Sequence, residues 1–511
     1  MATKIHANMT ITTNTPKNLA EILALEDIGQ KITFLKKGRR SPEPNTTELL
    51  DDWEPSRHDI MDEKKVGRVK VLSKLPWDEF NEKTGQSVHH EAEYTEKDPN
   101  RIALPIEQDI VNIQTAFTVG TEPKLNCEPE ESEKGVLEAL RKVLKGNKMK
   151  YQNRKEVRSW LSETEVAEYW YAVEDDGFWR KIFAKVAALA GVKVQPKKRL
   201  KCAIWSPFRG DKLYPFFDEQ GDMVAFSREY ERKDLNGVKH TVFMTITATN
   251  IYQWETLDGW VVNEAGTFEH KFSKLPVLYC QRDKAYCANI RTVRNRIEKC
   301  LSGYADCIDN HFFPKLLLFG ELENIFSGDP RNQILQMMGD GVNAQYLTWN
   351  QSADPVKVEI ETYFNQAYAL TNTPRISFDQ IKGTSTLSGV AFRYVFMAAF
   401  MAVENHGEVL GEFFQRRVNF LLSALGDINA SFAETSKTID VEVEIVPYLI
   451  DSDKDKVETA VAAVSGGVWT TEAGVAYCSN YGELKDNVEQ IKEEQAAKLA
   501  AASTKKQQNE G

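Results

Sequence analysis

The sequence predicts an α+β fold of several domains, and three observations carry that prediction. Residues 201–279 are rich in β-branched and aromatic side chains and are cut by Asn236-Gly237, Asp258-Gly259 and Ala265-Gly266, which is the pattern of an antiparallel meander. Helical spacing of apolar residues dominates on both sides of that block. The chain has 511 residues, 42% hydrophobic and 27% charged, enough for about two to four domains with cores of their own.

Taken in order, residues 1–100 are polar and broken by prolines, with a charge-rich stretch at 51–70. Loops, a few short elements and partial disorder are expected there. From Ile106 the pattern turns helical: Ile110, Ile113 and Phe117 recur on one face, and Gly120 and Pro123 end the run. Further helices are expected at Val136–Leu144, at Lys155–Tyr171 (ending in Tyr169-Trp170-Tyr171) and at Trp179–Ala190. After the meander, Ala285–Asn310 reads as one long helix. Ile290, Val293, Ile297, Leu301, Tyr304 and Ile308 form its apolar stripe, and Arg291, Arg294, Glu298, Ser302 and Asp306 lie on its other faces.

Pro314 ends that helix, and a compact insert follows with apolar strands at Lys315–Phe319 and Ala344–Trp349. Asp354-Pro355 suits a helix start, and that helix runs to Asn372. The stretch Thr373–Thr386 holds Pro374 and Gly383 and reads as a flexible loop. A very long helix then spans Ser388–Leu425, with Gly407 and Gly411 marking a kink. Strict alternation at Ile439–Ile445 predicts a strand, followed by helices at Lys454–Val464 and Thr471–Tyr477 and a charged helix from Glu483.

The chemistry of enzymes is hard to place in this sequence. A phosphate loop needs Gly-Lys-Ser/Thr to hold phosphates, and the sequence has no Gly-Lys dipeptide; neither H-E-x-x-H nor G-x-S-x-G occurs. His89-His90-Glu91, with Glu93, reads as a solvated loop more than as metal ligands, because neighbours so close cannot wrap one ion. Asp175-Asp176 precedes Gly177 and reads as a turn. Cys300 and Cys307, beside the apolar stripe, read as core thiols. No catalytic residue, cofactor or metal is assigned. The seven cysteines form no C-x-x-C pair, which fits a reducing compartment. The N-terminus lacks an apolar leader, and the longest apolar run, Val390–Val403, is broken by Arg393 and too short for a bilayer. A soluble, intracellular protein with no membrane partner is expected. The formal charge of -11 makes the chain a poor generic nucleic-acid binder, although it does not exclude a protein through which DNA slides.

Several stretches resemble the portal proteins of tailed bacteriophages, in the subfamily of long-tailed phages. Ser388-Gly389-Val390-Ala391-Phe392-Arg393 is similar to the small-residue start of the long helix after that family's channel loop. Lys274-Leu275-Pro276-Val277-Leu278 is similar to the proline-containing strand before its first stem helix, and Leu316-Leu317-Leu318-Phe319-Gly320 to the strand that enters its clip. The family's Gly-x-Pro after the early helix is Gly120-Thr121-Glu122-Pro123 here, one residue longer.

The resemblance implies a portal-like multidomain subunit with long stem helices, a β-rich wing, a small α/β clip and a helical crown. The wing falls at 100–284 and 387–450, the stem at 285–314 and 355–372, the clip at 315–354, the channel loop at 373–386 and the crown with its tail at 451–511. Residues 1–99 receive no place. It also implies a homo-oligomeric ring, usually of twelve subunits, at one capsid vertex of the virion, assembled in the host cytoplasm. Double-stranded DNA passes through its channel without sequence specificity. The implied partners are terminase, a scaffold or major capsid protein, and a head-completion adaptor. Gln380, Lys382, Thr384 and Ser385 become the candidates for meeting DNA, Ser388 and Gly389 the loop-to-helix junction, and Leu317 and Leu347 the clip contacts of assembly. The rival readings are another capsid-associated structural protein, against which the strand-rich block speaks, and a nucleic-acid enzyme, which needs clustered carboxylates that the sequence does not place together.

Overall fold

The computed structural model describes residues 18–74, 76–81, 85–174, 198–311, 315–326, 334–347, 354–375, 394, 396–448, 453–478 and 491–493. The chain divides into two compact units, one of Met1–Arg375 with Met401–Val446 and one of Ile376–Phe400 with Pro447–Gly511. No helix among the described residues is long and apolar enough to cross a membrane.

In the first unit the described part of the N-terminal region, from residue 18, carries short elements joined by loops, as expected, and several of them are anchored on the rest of the unit. Helices α1 (Leu19–Ala24), α2 (Ile28–Lys37) and α3 (Thr46–Trp53) start at Asn18, Asp27 and Asn45, whose side chains accept from backbone amides of the first turn. Two strand pairs follow: β1 (Val69–Lys74) with β4 (Glu93–Lys97), and β2 (Trp77–Asn81) with β3 (Gln86–His90). Ile32 and Leu35 of α2 pack on Tyr214, Phe243 and Trp254 of the large sheet. Gly38 closes α2 because a Cβ there would lie 2.0 Å from the Phe216 ring. The composition of this stretch hid the few apolar residues that anchor it.

Helix α4 (Ile106–Val119) buries Ile110, Val111 and Phe117 and stops at Gly120, as expected. Strand β5 (Lys124–Asn126) and helices α5 (Lys134–Gly146) and α6 (Met149–Glu163) come next. The helix expected through Tyr171 ends instead at Thr164, whose φ of 71 breaks it. Strand β6 (Glu165–Glu174) takes over, lying between β7 (Lys198–Trp205) and β14 (Val277–Gln281). The aromatic trio follows the period of a strand: Trp170 is fully buried, while Tyr169 and Tyr171 stack on each other.

The meander is present. Strands β8 (Lys212–Phe217), β9 (Met223–Lys233), β10 (Lys239–Thr247), β11 (Asn250–Thr256) and β12 (Trp260–Val262) pair in sequence, with β13 (Phe268–Glu269) added against β11. It is shorter than the predicted block, because the flanking strands β7 and β14 leave it to sandwich β6. Trp205, Phe226 and Tyr279 fill the space between the two sheets.

Beyond the sheets, α7 (Arg291–His311), the strand pair β15 (Lys315–Phe326) and β16 (Ile334–Leu347), and α8 (Asp354–Leu370) occupy the predicted order. The long helix α9 (Met397–Ile428) continues through Gly407 and Gly411, where a kink was expected. A Cβ at either glycine would meet nothing within 4 Å. Its Phe413, Phe414, Val418 and Leu421 complete the main core with Trp170, Leu161 and Ile110. The strand expected at 439–445 is reduced to β17 (Glu442–Glu444), since its partner β5 offers three residues; Ile439 and Val441 are instead core residues.

In the second unit, α10 (Asp453–Ser465) and α11 (Thr471–Cys478) match two predicted helices. They approach closely at Gly474, where a Cβ would lie 2.6 Å from Val464. The helix expected at Trp179–Ala190 lies outside the described residues, as does most of the one expected from Glu483.

Candidate functional site

The helix α7 carries two stripes. Its apolar stripe enters the core through Ile290, just before the helix, and Ile297, both fully buried. Its polar stripe, Arg294, Glu298, Ser302 and Asp306, repeats every four residues and so lies on one face. Two earlier segments of the same chain run along that face. Arg294 donates to Glu107 Oε1 at 2.9 Å and to the Asp52 carbonyl at 3.1 Å. Glu298 Oε1 lies 2.6 Å from His58 Nδ1 and accepts from the Leu104 amide at 2.9 Å. Ser302 Oγ accepts from the Ile102 amide at 3.0 Å, and Asp306 Oδ1 from the Asn100 amide at 2.9 Å. Arg291, beside the stripe, binds Asp52 and donates to Glu48 at 2.8 Å.

Arg294, Glu298 and Ser302 are at most 4% exposed. A charged helix face of this kind suits contact between subunits; here it is used up within the chain. Burial pushes the Glu107 carboxyl up to about 7, with Arg294 pulling against it. Breaking such a buried pair by removing one partner costs about 3–5 kcal/mol.

Helices α7 and α8 are antiparallel neighbours. Tyr286, just before α7, donates its hydroxyl to the Thr371 carbonyl just after α8, and Arg296 Nε donates to Glu359 Oε1 at 3.0 Å midway. Cys300 also faces Glu359. Cys300 is half-buried and Cys307 is exposed, so neither of the two expected core thiols belongs to the core. The outer side of α8 leaves Val358 61% and Leu370 53% exposed. Its exit is pinned by the buried Gln114, whose Nε2 donates to the carbonyls of Thr371 and Asn372 and to Thr373 Oγ1 at 2.9–3.2 Å.

Strands β15 and β16 form one antiparallel ribbon with bulges at Phe319/Glu321 and Leu322/Asn324. Leu317 stands opposite Gln345 and Leu347 opposite Lys315, two rungs apart at the root of the ribbon. The two strands pair with each other over a longer stretch than their apolar residues suggested. Gln380, Lys382, Thr384, Ser385, Ser388 and Gly389 lie outside the described residues.

A second buried lock joins α6, β6 and α9. Arg417 donates through Nε to both oxygens of Glu168 at 3.0 and 2.8 Å, through Nη1 to Asn153 Oδ1 at 2.7 Å, and through Nη2 to Glu156 Oε2 at 2.5 Å. Trp170 Nε1 donates to Glu168 as well. Among the described residues, Glu156, Glu168 and Cys202 are the grouping close enough to share an ion, within 4.8 Å. Arg417 already holds both carboxylates, and burial keeps the Cys202 thiol protonated, so this set fits an ion-pair lock and not a metal. Burial also drives the Glu156 carboxyl up to about 8, against the pull of Arg417. One proton on the two carboxylates leaves the cluster neutral, which burial favours. His89 and His90 sit on β3, a strand and not the expected loop. There His89 meets Asp78, and His90 stacks on Trp77 at 4.6 Å. Asp175-Asp176 lies outside the described residues.

Sequence reasoning missed Asp52, His58, Gln114 and the Arg417 cluster. The four-residue spacing of Arg294, Glu298, Ser302 and Asp306 was the available signal that one whole face of α7 wanted polar partners.

The family described as phage portal protein, SPP1 Gp6-like, matches residues 47–499. Among solved structures, a chain from the virion of a native gene transfer agent particle is similar over 74% of this chain and 91% of its own. That likeness is at 10% identity with a TM-score of 0.37. No curated protein matches the chain.

Proposed function

The chain belongs to the SPP1 Gp6-like phage portal proteins, matched over 47–499 of its 511 residues, and from that premise we propose how its parts work. It is a structural component of the virion and part of a capsid-associated oligomeric assembly. The finer reading is a ring of about twelve subunits, a closed head-to-tail assembly in which each subunit presents two different complementary faces. The antiparallel pair α7–α8 is its stem. The ribbon β15–β16 is its clip, the sheets with α9 are its wing, and residues 451–511 are its crown. The loop 373–386 lines the channel through which double-stranded DNA is packaged and ejected. Terminase and the head-completion adaptor dock in turn at the clip, and a scaffold or major capsid protein meets the ring during assembly in the host cytoplasm.

The observation that carries this reading is the family match together with the helix–ribbon–helix order it covers. The physical features agree with it. A two-stranded ribbon is marginal alone, so the ribbon gains by adding a neighbour's strands at its edges. Val358 and Leu370 leave apolar surface on the outer side of α8 for a neighbouring stem. Every cation that touches phosphate adds affinity through counterion release, and a channel must let DNA slide. The loop has two cations, Arg375 and Lys382, among Ser, Thr, Gln and Asp379. The buried polar stripe makes α7 a rigid post fixed to the body of its own subunit, able to bear load while the loop meets DNA.

Light scattering tests the assembly. The purified chain should give about twelve times its own mass of 58.1 kDa, and a stable monomer at the same concentration would overturn the ring.

A further inference from the structure

The helices α5 and α6 carry a concentration of positive charge that the portal reading does not use. Residues 134–158 hold nine Lys and Arg against two Glu, in a chain whose formal charge is -11. One of the two acids, Glu156, is buried and bound to Arg417. The other, Glu138, is paired with Lys142 at 3.0 Å. Arg141, Lys145, Lys148 and Lys150 are exposed and have no ion-pair partner among the described residues.

These four cations line one groove of about 540 Å3. Its apolar lining comes from Leu125, Leu144, Met149, Phe414, Val418 and Val443, on β5, α5, α6, α9 and β17. Tyr151 stands at the lip with 59% of its surface exposed. Glu122 is the one acid in the lining. Lys148 holds a left-handed backbone, φ 54, in the short turn between α5 and α6, and this turn sets Lys145 and Lys150 on either side of it.

We propose that this groove is a docking site for an acidic segment of a partner protein that also carries apolar side chains. Charge complementarity selects the acid: four unpaired cations at close range repel one another until a carboxylate-rich chain arrives. The apolar lining and the exposed Tyr151 select a peptide over a nucleic-acid backbone. Phosphates would satisfy the cations and leave the lining wet, whereas aromatic anchors with apolar pockets are what protein interfaces use. Arg417 takes no part in binding, because its guanidinium is committed to Glu168, Glu156 and Asn153. The inference stands apart from the ring and its channel, since it concerns one subunit's surface.

The test uses the full-length protein and a fluorescein-labelled synthetic peptide of alternating glutamate and leucine turns, read by anisotropy at about 0.1 M salt. The peptide should bind, and binding should weaken about tenfold or more in the double variant Lys145→Glu/Lys150→Glu, and severalfold in Tyr151→Ala. All three substitutions are at exposed positions, and an unchanged Tm would show that the variants fold. A glutamate-only peptide of equal charge should bind more weakly, and a short DNA duplex should compete poorly. Absence of binding, equal binding by the charge-reversed variant, equal binding of the glutamate-only peptide, or full displacement by the duplex would each overturn the proposal.

Discussion

His58 Nδ1 lies 2.6 Å from Glu298 Oε1, with both side chains shut away from solvent and the two positions 240 apart in the sequence. The contact ties the N-terminal segment to the centre of α7. Removing the imidazole in His58→Ala leaves Glu298 buried with the Leu104 amide as its remaining named partner. The variant should lose about 2–5 kcal/mol of stability in chemical denaturation. Amide hydrogen exchange across 291–311 should rise with it. Unchanged exchange there would mean that the segment decorates the helix without holding it.

The Arg417 cluster gives an asymmetric pair of variants. Because Glu156 holds its proton up to about pH 8, Glu156→Gln mimics the state already present and should change stability by less than about 1 kcal/mol at pH 7. Arg417→Met strips the cation from Glu168 and should cost about 3–5 kcal/mol. Equal losses in the two variants, measured by urea unfolding, would contradict the neutral-cluster reading.

Two buried groups give opposite pH slopes. Burial, then the nearby Arg282, lowers His406 to about 3. Below about pH 6.5 the unfolded chain takes up a proton that the native one refuses, so stability falls with falling pH by about 1.4 kcal/mol per unit. Glu107 is raised to about 7. The native chain keeps its proton where the unfolded one has lost it, so stability gained below about pH 4.5 is lost as pH rises through 7. Between about pH 5 and 6.5 the two contributions offset each other. Replacing His406 with Gln should expose a rise in stability toward acid, and replacing Glu107 with Gln should expose a fall. Parallel pH profiles in both variants would refute the assignment.

The ribbon offers a test of assembly. Leu317→Asp with Leu347→Asp places two charges at its root, where the strands pair. The variant should run as a monomer by light scattering while keeping the far-UV signal of the wild type. Rings of normal mass would show that the ribbon does not hold neighbours together.

The sequence made the helices and the meander legible wherever a single face carries the burial. The helix from Ile106, the pair around the ribbon and the five consecutive strands from Lys212 are of that kind. It misled at Glu165–Tyr171, because a strand buried on both faces shows no alternation, and its Glu and Ala residues suit a helix as well. It said little about residues 18–100 beyond short elements, because a few anchors such as Leu35 and His58 find partners more than a hundred residues away. The candidate site was half legible. The spacing of Arg294, Glu298, Ser302 and Asp306 was plain, but nothing local says whether such a stripe faces water, a neighbour or the same chain. The loop residues Gln380 to Ser385 rest on resemblance.

The central claim is that this chain builds a ring with an axial passage, and negative-stain electron microscopy of the purified full-length protein tests it most directly. Top views should show a closed ring with a stain-filled central hole, and side views a stem narrower than the wing above it. A field of compact monomers, or of open filaments without a hole, would contradict the claim.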